Sequence, residues 1–346
     1  MFEHAAHLLP LLRGGDAVAL VTITRVRGSA PRVVGATMAV TAQAQVLGSL
    51  SGGCAESDAV LLALDALRTG EASSATFALA CGGSIDVVAH RVLPTDTVAV
   101  AALADATAGR AAAVGLIRSG PGTGTIVVPG CDDGAGAPGA DGVDSGEARL
   151  LVLRHEPRPP LLIVGAGEHA VALCRVAAAV GFAVTVCDDS GLLATAERFP
   201  DAAAVLVADP AEHLASLAPH GVDPRTAICV LTHDERVDVP VLLVALALPV
   251  AFVGAMGSRA TVARRRRLLH EGGLRADRIA RLRSPLGLDL GGSSPGETAL
   301  AILAEVVAAR HGASARPLNE LTGRVHRPVT TTATAVSPAV AAGAVA

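Results

Sequence analysis

The stretch "LLIVGAGEHAVALCRVAAAVGFAVTVCDD", residues 161–189, constrains this chain most tightly. A continuous apolar run meets a glycine turn. An amphipathic run follows, and then a second β-branched run ending in two aspartates. Gly165-Ala166-Gly167-Glu168-His169-Ala170 is a G-x-G-x-x-A turn between a predicted strand and a predicted helix, the context a dinucleotide-binding fingerprint requires. Gly165 permits the tight turn, Gly167 lets the backbone approach a pyrophosphate, and Ala170 stands where a third small residue packs helix on strand. Asp188 ends the next strand about 20 residues on, where an acid can hold a ribose 2′-OH.

The residues that follow continue the pattern. "AAVLVAD", "AICVLTHD" and "VAFVGAMG" are apolar strands, each followed by turn residues. Fully apolar strands alternating with helices predict a parallel sheet covered on both faces, a Rossmann-like domain over 149–312. Its last helix has a start signal at Ser294-Pro295-Gly296-Glu297, with Ser294 as N-cap and Glu297 closing a capping box. Thr232-His233-Asp234 and Gly257-Ser258-Arg259 fall at carboxyl ends of strands, where such sheets bind ligands. His233, Asp234, Ser258 and Arg259 are therefore candidate cofactor-binding residues, with an anion expected at the Ser258-Arg259 helix start. The run Arg264–Arg267 reads as a solvated helix face.

The first half, 1–128, reads as mixed α/β. "AVALVTITRV", "GATMAVT", "QVLGSL" and "SIDVVAHRVL" are candidate strands, and "AESDAVLLALDALRTG" is a helix stopping at Gly70. Two cysteines stand in double-glycine loops: Cys54 after Gly52-Gly53 in "GSLSGGCAES", and Cys81 before Gly82-Gly83 in "ACGGSID". A lone cysteine is often a small core residue. The glycines, however, suggest turns where a ligand approaches the backbone closely. Cys54 at a helix start would be a reactive thiol. Arg32, after "GSAP", could hold a phosphate or carboxylate or be an exposed turn arginine. Cys174 and Cys187 read as core, and Cys131 lies in a loop.

Residues 129–148, rich in Gly, Asp, Ala and Pro, read as a linker, and 313–346 as a largely disordered tail. Six cysteines without a C-x-x-C pair argue against structural zinc, and no metal site is expected. A net charge of -4 and an aromatic content of 1% carry no footprint for nucleic acid. The start lacks a signal-peptide pattern, and Pro240 and Pro249 cut the one long apolar run into a helix and a strand, so no membrane span and a cytoplasmic setting are expected.

In combination, "GSAPRVVGATM", "GSLSGGCAE", "CGG", "LLIVGAGEHA", "ATAERFPDA", "LTHDERVD", "FVGAMGSR" and "LGLDLGGSSPGETALAILAE" resemble the XdhC/CoxI family, from about Ala17 to His326. The resemblance implies an N-terminal XdhC/CoxI domain and a C-terminal Rossmann domain. It also implies a maturation factor that binds molybdenum cofactor (molybdopterin or its cytidine dinucleotide), guards its sulfurated form and delivers it to an apo molybdenum hydroxylase of xanthine or carbon monoxide dehydrogenase type. A cysteine desulfurase as sulfur donor and a homodimer come with it, and Cys54 and Cys81 would face the cargo. Relatives often carry an arginine two residues after the acid of the second Rossmann strand. Here Ser190 follows Asp188-Asp189, which weakens any claim to a 2′-phosphate. Two other readings stay open. One is an NAD(P)-dependent oxidoreductase, disfavoured because the chain has no Tyr and no Lys for a short-chain mechanism. The other is a sulfurtransferase carrying a persulfide on Cys54 or Cys81. A carrier without turnover of its own is preferred to an enzyme.

Overall fold

The computed structural model describes residues 1–129, 149–218 and 221–322. Most of the expected linker, Cys131 with it, and the tail from 323 lie outside the described residues. The chain divides into two compact units, Met1–Pro157 and Arg158–Arg327.

The first unit runs α1 (Ala5–Arg13), β1 (Val18–Arg27), β2 (Thr37–Thr41), β3 (Val46–Leu47), α2 (Glu56–Thr69), β4 (Ser73–Ala78), β5 (Ser84–Val92), α3 (Thr97–Thr107), β6 (Ala112–Ile117), β7 (Ile126–Val127) and β8 (Leu150–His155). Its main sheet is antiparallel in the order β3-β2-β1-β5-β4. Both faces are covered, which explains why β1 opens on the uninterrupted apolar run 18–21. Val18 and Leu20 pack with α1 and α3, while Ala19, Val21 and Ile23 meet Ala59, Ala63 and Ala66 of α2. The alanines let α2 lie close to the sheet, and Gly70 ends that helix in the left-handed conformation with φ 78°. A second sheet has the order β7-β6-β8. Leu150–His155 pairs with β6 and so belongs to the first unit, and the division falls at the proline-rich break after it, not at 148/149.

The second unit runs β9 (Pro160–Val164), α4 (Glu168–Ala179), β10 (Ala183–Asp188), β11 (Ala204–Val207), α5 (Pro210–Leu217), β12 (Ala227–Val230), α6 (Glu235–Ala247), β13 (Phe252–Ala255), α7 (Arg259–Glu271), α8 (Ala276–Ile279), β14 (Leu282–Arg283) and α9 (Pro295–Arg310). The six strands are parallel in the order β11-β10-β9-β12-β13-β14. That is the doubly wound order of a Rossmann fold, with its switch point between β9 and β12. Alternate residues of each strand feed the two cores. Ile163, Val186 and Cys229 pack with α4 and α9, and Val164, Cys187 and Val230 pack with α6. The capping box at Ser294 and Glu297 forms as expected. Pro240 lies inside α6 rather than ending it. Among the described residues no helix is long and apolar enough to cross a membrane.

Candidate functional site

In the first unit three loops gather at one end of the main sheet. Register pairs Arg27 with Ser84, Ala78 with Ser84, Thr22 with Thr37, and Ala39 with Leu47. The turns 28–36, 48–55 and 79–83 therefore leave the same end of the sheet, with Cys54 following edge strand β3 and Cys81 following the opposite edge strand β4. Both thiols are exposed, whereas Cys174, Cys187 and Cys229 are buried. Burial pushes the Cys174 and Cys187 thiols up to about 11 and raises Cys229 further. The Cys81 thiol donates to Ser29 O at 3.0 Å, tying the second cysteine loop to the turn after β1. Gly83 is needed there for space, since a Cβ would lie 2.8 Å from Arg27 O and closer still to Ser29 O. Arg32 donates to both oxygens of Glu3, at 2.7 and 2.6 Å, so a ligand anion would have to displace Glu3.

The Cys54 loop holds a group that sequence reading missed. The Glu56 carboxylate, at the first position of α2, folds back under the loop. It accepts N–H bonds from Leu50 (3.1 Å), Ser51 (2.8 Å), Gly52 (2.9 Å), Gly53 (2.7 Å) and Ala55 (3.1 Å). It also accepts the Ser49 and Ser51 hydroxyls at 2.7 Å each. Burial would raise its pKa, but these bonds outweigh it and hold the carboxyl well below the usual carboxylate range. Gly52 and Gly53, at φ 80° and 132°, turn successive N–H groups inward to make this nest. The glycines thus serve an internal anion, and the N–H groups expected to face a ligand are taken.

In the second unit the fingerprint loop forms where expected. Gly165 has φ 100°, and a Cβ there would meet Thr232 Cγ2 at 2.9 Å, so only glycine fits. Gly167 caps α4 and faces open space, leaving room for a ligand. Asp188 is half-buried and accepts the Ala166 N–H at 2.7 Å and the Ser190 N–H at 2.8 Å. It fixes the loop and still has acceptor capacity for a ribose hydroxyl. Arg198, from "ATAERFPDA", is a second organiser. It donates to Ala166 O at 2.8 Å and Leu193 O at 3.0 Å, and pairs with Glu168 at 3.0 Å. Asp188→Ala is expected to cost about 1–3 kcal/mol of stability through the two stranded N–H groups. It should also weaken nucleotide binding, both measurable by urea unfolding with and without ligand. A stability cost below about 0.5 kcal/mol would mean the two backbone bonds contribute nothing.

A cavity of about 430 Å³ opens at the carboxyl ends of β12 and β13, lined by His233, Met256, Gly257, Ser258, Thr261, Pro285 and Leu286. Its polar lining atoms come from side chains partly used already. Ser258 caps α7, accepting the Thr261 N–H at 3.2 Å. Asp234 caps α6 and pairs with Arg236, whose bonds hold the carboxyl down to about 2, so it is a structural cap and not a cavity ligand. His233 is exposed, and so is Arg259, which follows the lining residue Ser258 but does not itself line the cavity. Behind the cavity the solvated-face reading of Arg264–Arg267 fails at one position: Arg265 is fully buried against Asp238, itself fully buried. Asp238 also accepts the Thr232 hydroxyl, and Arg265 donates to Met256 O at 2.9 Å and Ser284 Oγ at 3.3 Å. The other three arginines keep to the surface; Arg264 pairs with Glu235 and Arg267 with Glu271. A four-arginine run hides its one inward member, which a helical period keyed to apolar residues does not reveal.

Comparison with known proteins places both units. Two family models match, the XdhC and CoxI family over residues 11–78 and the XdhC Rossmann domain over residues 161–306. The chain is 28% identical over 308 residues to the molybdenum cofactor insertion chaperone PaoD of Escherichia coli, covering 86% of this chain and 85% of that protein. It is 27% identical over 326 residues to a probable xanthine dehydrogenase subunit of Bacillus subtilis, covering 87% and 95%. It is 30% identical over 178 residues to the protein YqeB of Escherichia coli, a match spanning 51% of this chain but only 32% of YqeB. Its fold is similar to the crystal structure of a xanthine dehydrogenase from Bacillus halodurans, with a TM-score of 0.71 and 24% identity over 88% of this chain and 95% of that one. With a cysteine-loop unit and a Rossmann unit each matched by its own family model, the chain belongs to the XdhC and CoxI family.

Proposed function

We propose that this protein is a maturation factor that binds molybdenum cofactor and delivers it to an apo molybdenum hydroxylase of xanthine dehydrogenase type. The observation that carries the reading is the pair of exposed thiols, Cys54 and Cys81, on glycine loops at one end of one sheet, while Cys174, Cys187 and Cys229 are buried. Soft sulfur ligands at a place open to close approach suit the metal–sulfur end of such a cargo. The names borne by PaoD and the Bacillus subtilis relative support the same reading. Taken by itself, the second unit offers the Gly165 loop and the cavity by His233 to a nucleotide, cytidine dinucleotide or NAD(P). Guarding of a sulfurated cargo, a cysteine desulfurase as donor, service to a carbon monoxide dehydrogenase, a homodimer and a cytoplasmic setting belong to the same proposal.

Protein purified from a molybdate-fed host should carry a bound pterin, read by mass spectrometry and absorbance; bound nicotinamide in its place would replace the carrier with an oxidoreductase. In the apo protein Cys54 should alkylate at least about tenfold faster than Cys174, Cys187 or Cys229, because buried thiols react only through opening. Cargo should slow that labelling. Cys54→Ala should fold normally, as the thiol is exposed, yet deliver little active cofactor. Labelling of Cys54 only in denaturant would remove the placement, and undiminished delivery by Cys54→Ala would remove the role.

A further inference from the structure

We infer that Glu56 is the positioning residue of the Cys54 loop: its carboxylate is a built-in anion that fastens residues 49–55 into the one shape that presents Cys54 outward. The inference rests on the reading of Cys54 as cargo-facing. Gly52, Gly53 and Cys54 are exposed and make no strand or helix, so nothing but local bonds can order them. Leu50, Ser51 and Ala55 on either side are buried, which anchors the ends of the turn. From Ser49, the anchors and the two glycines between them, five N–H groups and two hydroxyls converge on the two oxygens of one side chain. A further bond from the Ala55 N–H to Ser51 Oγ, at 2.8 Å, closes the ring behind Cys54. Five donors aimed at one point repel each other unless an anion sits there, and an ionised carboxylate is acceptor-only. Glu56 also stands at the N-terminus of α2, where negative charge is favoured. Because the nest is filled from within, cargo is met at this loop through the Cys54 thiol and not through an anion gripped by the glycine amides.

Hydrogen exchange on the apo full chain tests the fastening without any cargo. The amides of residues 50–53 and 55 should exchange slowly in the parent despite exposed neighbours. Glu56→Ala should speed them by about 100-fold or more while the strands β1 and β5 keep their protection. Glu56→Gln, which keeps the size and loses the charge, should fall between. Sodium acetate should slow the exchange again in Glu56→Ala, and sodium chloride at equal ionic strength should do so less, since a carboxylate fits the vacated nest. Cargo protection of Cys54 against alkylation should then be lost in Glu56→Ala and partly regained with acetate. Unchanged exchange in both variants, or no difference between acetate and chloride, overturns the inference. So does full cargo protection of Cys54 in a Glu56→Ala protein whose loop amides have been freed. If instead Cys54→Ala delivers cofactor normally while the exchange results hold, the reading of Cys54 fails and the fastening of the loop stands.

Discussion

Replacing Asp238 with alanine should be the most damaging single change in the Rossmann unit, costing about 3–5 kcal/mol, the range for breaking a buried pair by removing one partner. Arg265 would remain fully buried with its charge uncompensated, and its Nε already lacks a hydrogen-bond partner among the described residues. The damage should not stay local. Asp238 lies on α6, Thr232 follows β12, Met256 follows β13 and Ser284 follows β14, so one carboxylate and one guanidinium tie together three loops on the carboxyl side of the sheet. Thr232 in turn packs where a Gly165 side chain would go, which links the pair to the fingerprint loop. Urea unfolding of Asp238→Ala and of the double variant Asp238→Leu/Arg265→Met separates charge from packing. The double variant should recover most of the loss, because apolar groups of similar volume carry no desolvation cost. A single-variant cost below about 1 kcal/mol would mean the pair is solvated in solution and does not organise these loops.

The parallel unit was legible because its signals repeat. Each strand but the two-residue β14 is a short apolar run ended by turn residues, and the glycine turn at Gly165 fixes direction and hand, so the order of these five strands follows from few alternatives. The antiparallel unit was legible only in β1, β2, β3 and β5. The two-residue β3 falls inside the "QVLGSL" run read as a strand, but the two-residue β7 has no period to read, and β4, with exposed positions alternating along "SSATFA", carries too little apolar weight to stand out. The cysteines were found because glycine pairs mark unusual backbone. Glu56 was not, because a glutamate at the start of a helix is ordinary in sequence, and only coordinates reveal that its side chain turns back into the preceding loop. The same limit applies to Arg32 and Asp234. Their residue types suit ligands, but each is closed onto a neighbour, Glu3 or Arg236, that no spacing rule selects. Arg265 was misassigned for a related reason: burial of a charge depends on a partner 27 residues away, on another helix.

Gly82 and Gly83 look equivalent in sequence but should fail differently when changed to alanine. At Gly83 the obstacle is space. The added Cβ would collide with Ser29 O and come within 2.8 Å of Arg27 O, both backbone atoms that cannot swing aside as a side-chain tip can. Relief requires the cysteine loop to move off the 28–32 turn, so Gly83→Ala should cost about 3 kcal/mol, the upper part of the usual overpacking range. At Gly82 nothing lies within 4 Å, and the obstacle is φ 83°, which an alanine adopts at a cost of about 1 kcal/mol. Gly82→Asn should be milder still, since asparagine tolerates the left-handed region. The reporter is Cys81 itself. Its bond to Ser29 O depends on the contact that Gly83 permits, so alkylation of Cys81 should speed up in Gly83→Ala and stay near the parent rate in Gly82→Asn. Under the proposed function, only Gly83→Ala should also lower cofactor delivery, because only there is the thiol carried off the 28–36 turn at the end of the sheet where Cys54 also lies. Equal melting temperatures for Gly83→Ala and Gly82→Ala, with Cys81 labelled at one rate in both, would show that the two loops are not in contact in solution.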